Sequence, residues 1–263
     1  MNFDQLLAQT ATDSATPLTF PTSWCQGRTA FGGISAAMLL AAAQRKVSHE
    51  FRLLSMSTNF IGPLLADTDF HIEIEVLRQG KSSCQILARA IQQSQTCVMA
   101  QICFAKHRPS DLSVENNQQC DLRPVDPSFV IPYHSGVSPE FFQHIDLSPQ
   151  QGAMPFTGAD TSHLGGWMKF KIPPTQFSVA HVLALTDAWP PTMLQMFKQA
   201  APASSMSWYI EFLSEPQLER TQWLGFEAIT HHSSDGYAIE DAKIWSEAGQ
   251  LVALSRQTVA IFA

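Results

Sequence analysis

The sequence predicts an α+β fold made twice in tandem, each copy a helix wrapped by antiparallel strands, with the two sheets running on into one. Three observations carry that expectation. Two stretches, residues 31–46 (FGGISAAMLLAAAQRK) and 177–198 (FSVAHVLALTDAWPPTMLQMFK), are dense enough in apolar residues to be buried helices. Each is followed by four strand-like runs. The first half, slid along by 154 positions, lays EIEVLRQGKSS on EAITHHSSDGY without a gap, turn upon turn.

Taken in order, the chain has a polar start and then a short strand expected at 18–20. WCQGRTAFGG (24–33) follows, its glycines permitting a sharp turn and a close backbone approach before the first helix. Ala36, Ala37, Ala41, Ala42 and Ala43 leave that helix thin enough for a curved sheet to pack on it. Strands are expected at 51–61, 70–77, 83–91 and 97–105. The second alternates cleanly, with Ile72, Ile74 and Val76 on one face and His71, Glu73 and Glu75 on the other. RQGKSS and QQSQT supply the turns of an antiparallel meander. Residues 108–160 are rich in Pro, Ser, Asp and Gln, long for a connection, with a short helix expected at 139–145. A strand at 166–172, the second helix, and strands at 205–213, 223–230, 237–245 and 251–262 complete the chain. The expected organisation is an N-terminal unit over 1–108, a linker over 109–160 and a C-terminal unit over 161–263. The same slide sets Gly33 on Asp187, Asn59 on Leu213 and Cys103 on Gln257, so the acid stands in one copy only.

Bulk properties narrow the function. A net charge of -7 argues against nucleic-acid binding. The balance is uneven: nine Lys/Arg against seven Asp/Glu up to Ser110, seven against sixteen after it, so a phosphate-bearing ligand would prefer the first half. No apolar run reaches membrane-spanning length and the N-terminus has no signal pattern, so no membrane association is expected. Cys25, Cys84, Cys97, Cys103 and Cys120 form no C-x-x-C pair, which fits reduced thiols in the cytoplasm. His231 and His232 would point to opposite faces of a strand, so no metal is expected, and no cofactor.

The ordered set WCQGRTAFGG, STNFIGP, EVLRQGKSS, AHVLALTDAW, SSMSWYIEF and LVALSRQTVAIF resembles the acyl-CoA thioesterase II branch of the double hot-dog thioesterases and the wider thioesterase-like group. The resemblance covers most of the chain outside the linker. It implies a double hot-dog fold and hydrolysis of an acyl-CoA to a free acid and CoA. It also implies a water held by an Asp of the second helix, a Thr or Ser of the next strand and a Gln of the last. Carried over, these fall on Asp187, Ser205 and Gln257. Ser207 and Trp208 replace the acidic and histidine residues that usually follow the hydroxyl, so the choice among Ser204, Ser205 and Ser207 stays open. The arginine-proline pair after the aromatic end of that strand is also absent, Phe212 being followed by Leu213, Ser214 and Glu215.

A thioester is already activated, and its hydrolysis needs an oriented water, a base and oxyanion donors. Asp187, set among Leu183, Leu185, Ala188 and Trp189, is the candidate base, with a raised pKa expected. Its alternative role is to cap a short helix begun by Pro190 and Pro191. Gln257, an amide amid Leu251, Val252, Val259 and Ile261, needs partners if buried. The backbone amides of Gly32 and Gly33 are candidate oxyanion donors at the start of the first helix; plain turn chemistry explains them equally well. Trp24 and Trp189 are candidate acyl-slot residues, as are Trp167 and Trp208, with core packing the alternative; Arg28, Arg78 and Lys81 are candidate contacts for the CoA phosphates. A homo-oligomer, dimer or larger, is expected from the edges such sheets present. The rival readings are a non-catalytic acyl-thioester binder and a hot-dog hydratase or dehydratase. The latter wants a His beside the Asp, and His181 is off its face.

Overall fold

The alternating runs of the first half become four antiparallel strands, β3 (Phe51–Phe60), β4 (His71–Gln79), β5 (Ser83–Gln92) and β6 (Gln95–Lys106). They follow α1 (Phe3–Gln9), a minimal hairpin of β1 (Cys25–Gln26) and β2 (Thr29–Ala30), and α2 (Gly32–Gln44). The second half holds β7 (Ile145–Gln151), β8 (Leu164–Phe170), α3 (Val179–Thr186), β9 (Ala203–Phe212), β10 (Leu224–Ser234), β11 (Tyr237–Ser246) and β12 (Leu251–Ile261). This computed structural model describes residues 1–11, 16–213 and 223–262; Ser214 and Glu215, at the departure from the family pattern, lie outside them.

Ten of these strands form one sheet in the order β4-β5-β6-β3-β9-β12-β11-β10-β8-β7. The join between halves is the antiparallel β3·β9 pair, centred where Ser57 faces Tyr209. This is the double hot-dog α+β architecture: α2 lies against the sheet, buried on almost every side from Gly33 to Leu40, and α3 lies against α2. Such close approach requires a missing side chain. A Cβ on Gly33 would stand 2.5 Å from the Ala184 carbonyl oxygen and 2.6 Å from the Phe31 ring.

The duplication shows in the ladders. Val76 pairs with Ile86 as Thr230 pairs with Glu240, both 154 positions on. A bulge recurs at Leu54 in β3 and Met206 in β9, so here the offset is 152 and Leu53 corresponds to Ser205. On the last strands the offset is 155. Met56 faces Ile102 as Trp208 faces Gln257, so the counterpart of Gln257 is Ile102 and not Cys103. A single rigid slide therefore misplaces residues by one or two wherever bulges or loop lengths differ. It fails outright at the helices: Gly33 lies in the first turn of α2, whereas Asp187 closes α3 as its C-cap. The two are not counterparts but neighbours in space.

Other elements also differ from expectation. The second helix ends at Thr186, because Pro190 and Pro191 cannot continue it; a 3₁₀ segment, Thr192–Met196, follows. Leu18 makes an isolated bridge to Phe70 in place of a strand. Residues 109–160, expected as a linker, contain a 3₁₀ turn, Glu140–Gln143, and the strand β7, which pairs with β8. The ordered α1 has an Asn2–Gln5 capping box and buries Phe3 and Leu6.

Candidate active site

Where α3 stops, the chain turns toward the seam between the halves. Asp187 is thus delivered by the last turn of a helix whose other residues are all buried. β9 and β12 run side by side, with Trp208 facing Gln257 across the ladder, and their inward side chains approach Asp187. Gln257 Nε2 donates to Asp187 Oδ1 at 3.0 Å, and Ser205 Oγ donates to Gln257 Oε1 at 2.7 Å. The three side chains form one hydrogen-bonded chain that fixes the orientation of the glutamine amide. Of the three candidate serines, Ser205 is the one bonded to Gln257. Ser204 is exposed at the rim, and Ser207 lies beyond the bulge.

The chain of three opens into a cavity of about 330 Å³ built from both halves. Gly32, Phe60 and Leu64 come from the first; Asp187, Trp189 and Ser205 come from the second. Asp187 is half-buried and lines this cavity, and burial pushes its pKa up to about 7. The Gln257 hydrogen bond and the Gly33 backbone amide act in the opposite sense, and the nearby Glu240 carboxylate adds to the rise. A Cβ on Gly32 would stand 2.6 Å from Asp187 Oδ2 and 3.0 Å from the Phe60 ring, so only glycine leaves the carboxylate its place.

The remaining predicted positions divide. Trp189 lines the cavity, stacked on Phe226 at 5.6 Å, and its buried Nε1 has no partner among the described residues. Trp24 does not reach it: fully buried, it stacks on His144 at 4.0 Å and donates to the Met1 carbonyl, so it is a core residue. Trp167 and Trp208 are likewise held elsewhere, by the Arg123 carbonyl and Ser255. Arg28 is exposed in the two-residue turn between β1 and β2, where Gly27 takes φ +62°, and its neighbours Gln26 and Thr29 line the cavity. Arg78 and Lys81 are not at the site. They lie at the Phe51 end of the N-terminal strands, whereas the cavity is at the Phe60–Val98 end. Gly32 lines the cavity, while the Gly33 amide is directed at the Asp187 carboxylate rather than left for an oxyanion. Asp187 does not begin a helix, so the capping alternative fails in that form. His181 is bonded to Asp4 at 3.0 Å and Ser178 at 2.8 Å at the far end of α3, which leaves no imidazole beside the acid among the described residues.

One residue was missed. Glu240, on β11 directly across from Gln257, also lines the cavity. Its Oε2 accepts from the Thr192 amide (2.9 Å) and Thr192 Oγ1 (3.2 Å), and burial pushes its pKa up to about 7. Strand alternation could have found it, since Glu240 shares a face with the buried Ala238 and corresponds to the core residue Ile86.

Comparison with known proteins gives the following. A family model described as acyl-CoA thioesterase C-terminal domain matches residues 117–261, and one described as acyl-CoA thioesterase N-terminal domain matches 20–105. No curated protein matches the sequence significantly. Among solved structures, a conserved hot-dog protein of unknown function from Alicyclobacillus acidocaldarius is 24% identical with a TM-score of 0.85, covering 99% of this chain and 98% of its own. A putative thioesterase II from Thermobifida fusca is 19% identical, with a TM-score of 0.78 and coverage of 99% and 97%. An acyl-CoA thioesterase II from Mycobacterium marinum is 18% identical, with a TM-score of 0.69 and coverage of 89% and 90%. At these identities the structural likenesses speak for the fold.

Proposed function

The chain belongs to the acyl-CoA thioesterase family, a family of thioester hydrolases, and from that premise we propose that it cleaves an acyl-CoA with a water activated by Asp187. The observation that carries this reading is the hydrogen-bonded chain Asp187–Gln257–Ser205 opening into a cavity formed by both halves. A carboxylate with a pKa near 7 is ionised in a useful fraction at neutral pH and still basic enough to take a proton from water. Asp187 Oδ2, the oxygen not held by Gln257, is the acceptor. The water oxygen attacks the thioester carbonyl carbon as its proton passes to Asp187. The tetrahedral oxyanion then collapses, the C–S bond breaks, and CoA leaves as a thiolate that takes up a proton. Ser205 acts through Gln257, which it holds in one orientation, and so is a positioning residue.

The Gly32 amide, at the N-terminus of the 13-residue α2 and on the cavity wall, is the proposed oxyanion donor. Arg28 is the proposed contact for the CoA phosphates, as the cation at the cavity's edge. Assembly as a dimer or larger is proposed because β4 ends the sheet as an open edge. A cytoplasmic location is proposed from the five free cysteines. No described helix is long and apolar enough to cross a membrane.

The test is free-thiol release from a panel of acyl-CoAs. The wild-type protein is expected to turn over, and Gln257→Leu to lose at least tenfold in kcat. A non-catalytic binder would release no thiol with any member of the panel, and that result would end the proposal.

A further inference from the structure

The cavity is unusual for a site meant to hold a hydrocarbon tail. Its described wall carries two carboxylates, Asp187 and Glu240, with the polar side chains of Gln26, Thr29 and Gln257, and no Lys, Arg or His. Its volume of about 330 Å³ is at the small end for ligand sites.

Asp187 is accounted for by the reaction; Glu240 is not. In the first half its place on the ladder belongs to Ile86, which is fully buried in the core, so the fold itself asks for an apolar residue there. Both Thr192 hydrogen bonds go to Glu240 Oε2, and Thr192 Oγ1 is in turn paired with Thr230 Oγ1 at 2.7 Å. Oε2 is therefore pinned. Among the described residues nothing donates to Oε1, and Oε1 is not among the sealed, unpartnered atoms, so it stays available to the cavity. A carboxylate oxygen fixed in position and without a protein donor accepts a hydrogen bond from whatever fills the space. Leaving it against methylenes would strand a desolvated polar group.

Resting on the reading of Asp187 as the base, we propose that Glu240 determines specificity: the acyl group is short and carries a hydrogen-bond donor, a hydroxyl or an ammonium, that meets Glu240 Oε1. The two acids and the lack of a cationic partner disfavour acyl groups ending in a carboxylate. A saturated chain offers Oε1 nothing.

Four thioesters of one backbone length test this: butanoyl-, 3-hydroxybutanoyl-, 3-aminobutanoyl- and succinyl-CoA, with octanoyl-CoA as the long apolar control. The wild-type protein is expected to favour the hydroxy or amino substrate over butanoyl-CoA by at least tenfold in kcat/KM, with succinyl-CoA poorest. The hydroxy and amino arms separate a neutral donor from a cation. Glu240→Ile, which copies the first half, is expected to bring that ratio down at least tenfold. Glu240→Gln, the nearly isosteric variant, is expected to lose the preference for the amine and retain part of that for the hydroxyl. The inference is overturned if octanoyl- or butanoyl-CoA is the better wild-type substrate, or if neither variant moves the ratio. In either case Asp187-dependent hydrolysis would stand. Absence of hydrolysis with all five thioesters would remove the parent reading and this one with it.

Discussion

The substitution Asp187→Asn should cost activity and return stability, and the return should depend on pH in a calculable way. Burial lifts the carboxyl from 3.8 to about 7 in the folded chain. At ~1.36 kcal/mol for each pH unit, the ionised form is disfavoured by about 4 kcal/mol. The sign follows from linkage. A group whose folded pKa is raised stabilises the fold fully below its unfolded pKa, and that contribution is lost as pH rises through about 7. The side-chain amide of the variant titrates nowhere, and its oxygen can still accept from Gln257. The stability difference between variant and wild type should therefore widen in the variant's favour by about 2–3 kcal/mol from pH 5 to pH 8. For a chain of this size that is roughly 5–10 °C in relative melting temperature. Glu240 titrates over the same window in both proteins, so most of its effect cancels. Thermal unfolding at pH 5, 6, 7 and 8 measures the stability, and thiol release at pH 8 should fall about 10²- to 10⁴-fold. A melting difference that stays flat with pH would refute the desolvated carboxylate. Full activity in the variant would refute the base.

Further outcomes follow from the same geometry. Gln257→Leu removes a hydrogen bond that favours the ionised form, so the acidic limb of the pH–rate profile, expected near pH 7, should move to higher pH; an unmoved limb would mean Asp187 does not set it. Gly32→Ala places a Cβ 2.6 Å from Asp187 Oδ2 and 3.0 Å from Phe60, and should lower kcat at least tenfold with little change in folding, checked by steady-state kinetics and circular dichroism. Gly33→Ala meets backbone, the Ala184 oxygen at 2.5 Å, and should destabilise by about 1–3 kcal/mol in urea unfolding. Arg78→Ala with Lys81→Ala should leave KM for acyl-CoA unchanged within twofold, since both lie at the other end of the N-terminal strands, whereas Arg28→Ala should raise it.

Most of the fold was legible because its strands alternate and α2 and α3 are apolar on almost every side, and both signals are local. The hydrogen-bonded set at the cavity was legible for a different reason. Asp187 and Gln257 are polar residues in apolar stretches, Ser205 takes its place in order along the family pattern, and the structure joins the three through two hydrogen bonds. What could not be read was whatever depends on distance between remote parts of the chain. Trp24 has the composition of a slot residue, yet its ring is taken by His144 and its N–H by Met1. Arg78 and Lys81 carry the right charge at the wrong end of a strand. β7 has Pro149 and three polar neighbours in IDLSPQQ, and it reads as a strand only once β8 is there to pair with it. The helix pairing failed because a constant offset cannot follow bulges and a proline break.

The same ladders explain how one copy can carry so polar a site. In the first half the positions corresponding to Ser205, Glu240 and Gln257 are Leu53, Ile86 and Ile102, all buried in the core. Those apolar contacts, with the fully buried α2, hold the N-terminal unit as an ordinary packed domain. The C-terminal unit is fastened to it by the shared β3·β9 pair and by the contact of α3 with α2. A desolvated acid is disfavoured in any fold, and two of them in one cavity more so. Here they stand at the seam, where the α2–α3 contact allowed by Gly33 fixes the end of α3 and the missing Cβ of Gly32 leaves Asp187 its space. The asymmetry of the duplication is thus the physical condition for the site: one half keeps the packing, and the other carries Ser205, Glu240 and Gln257 at three positions that are core in the first.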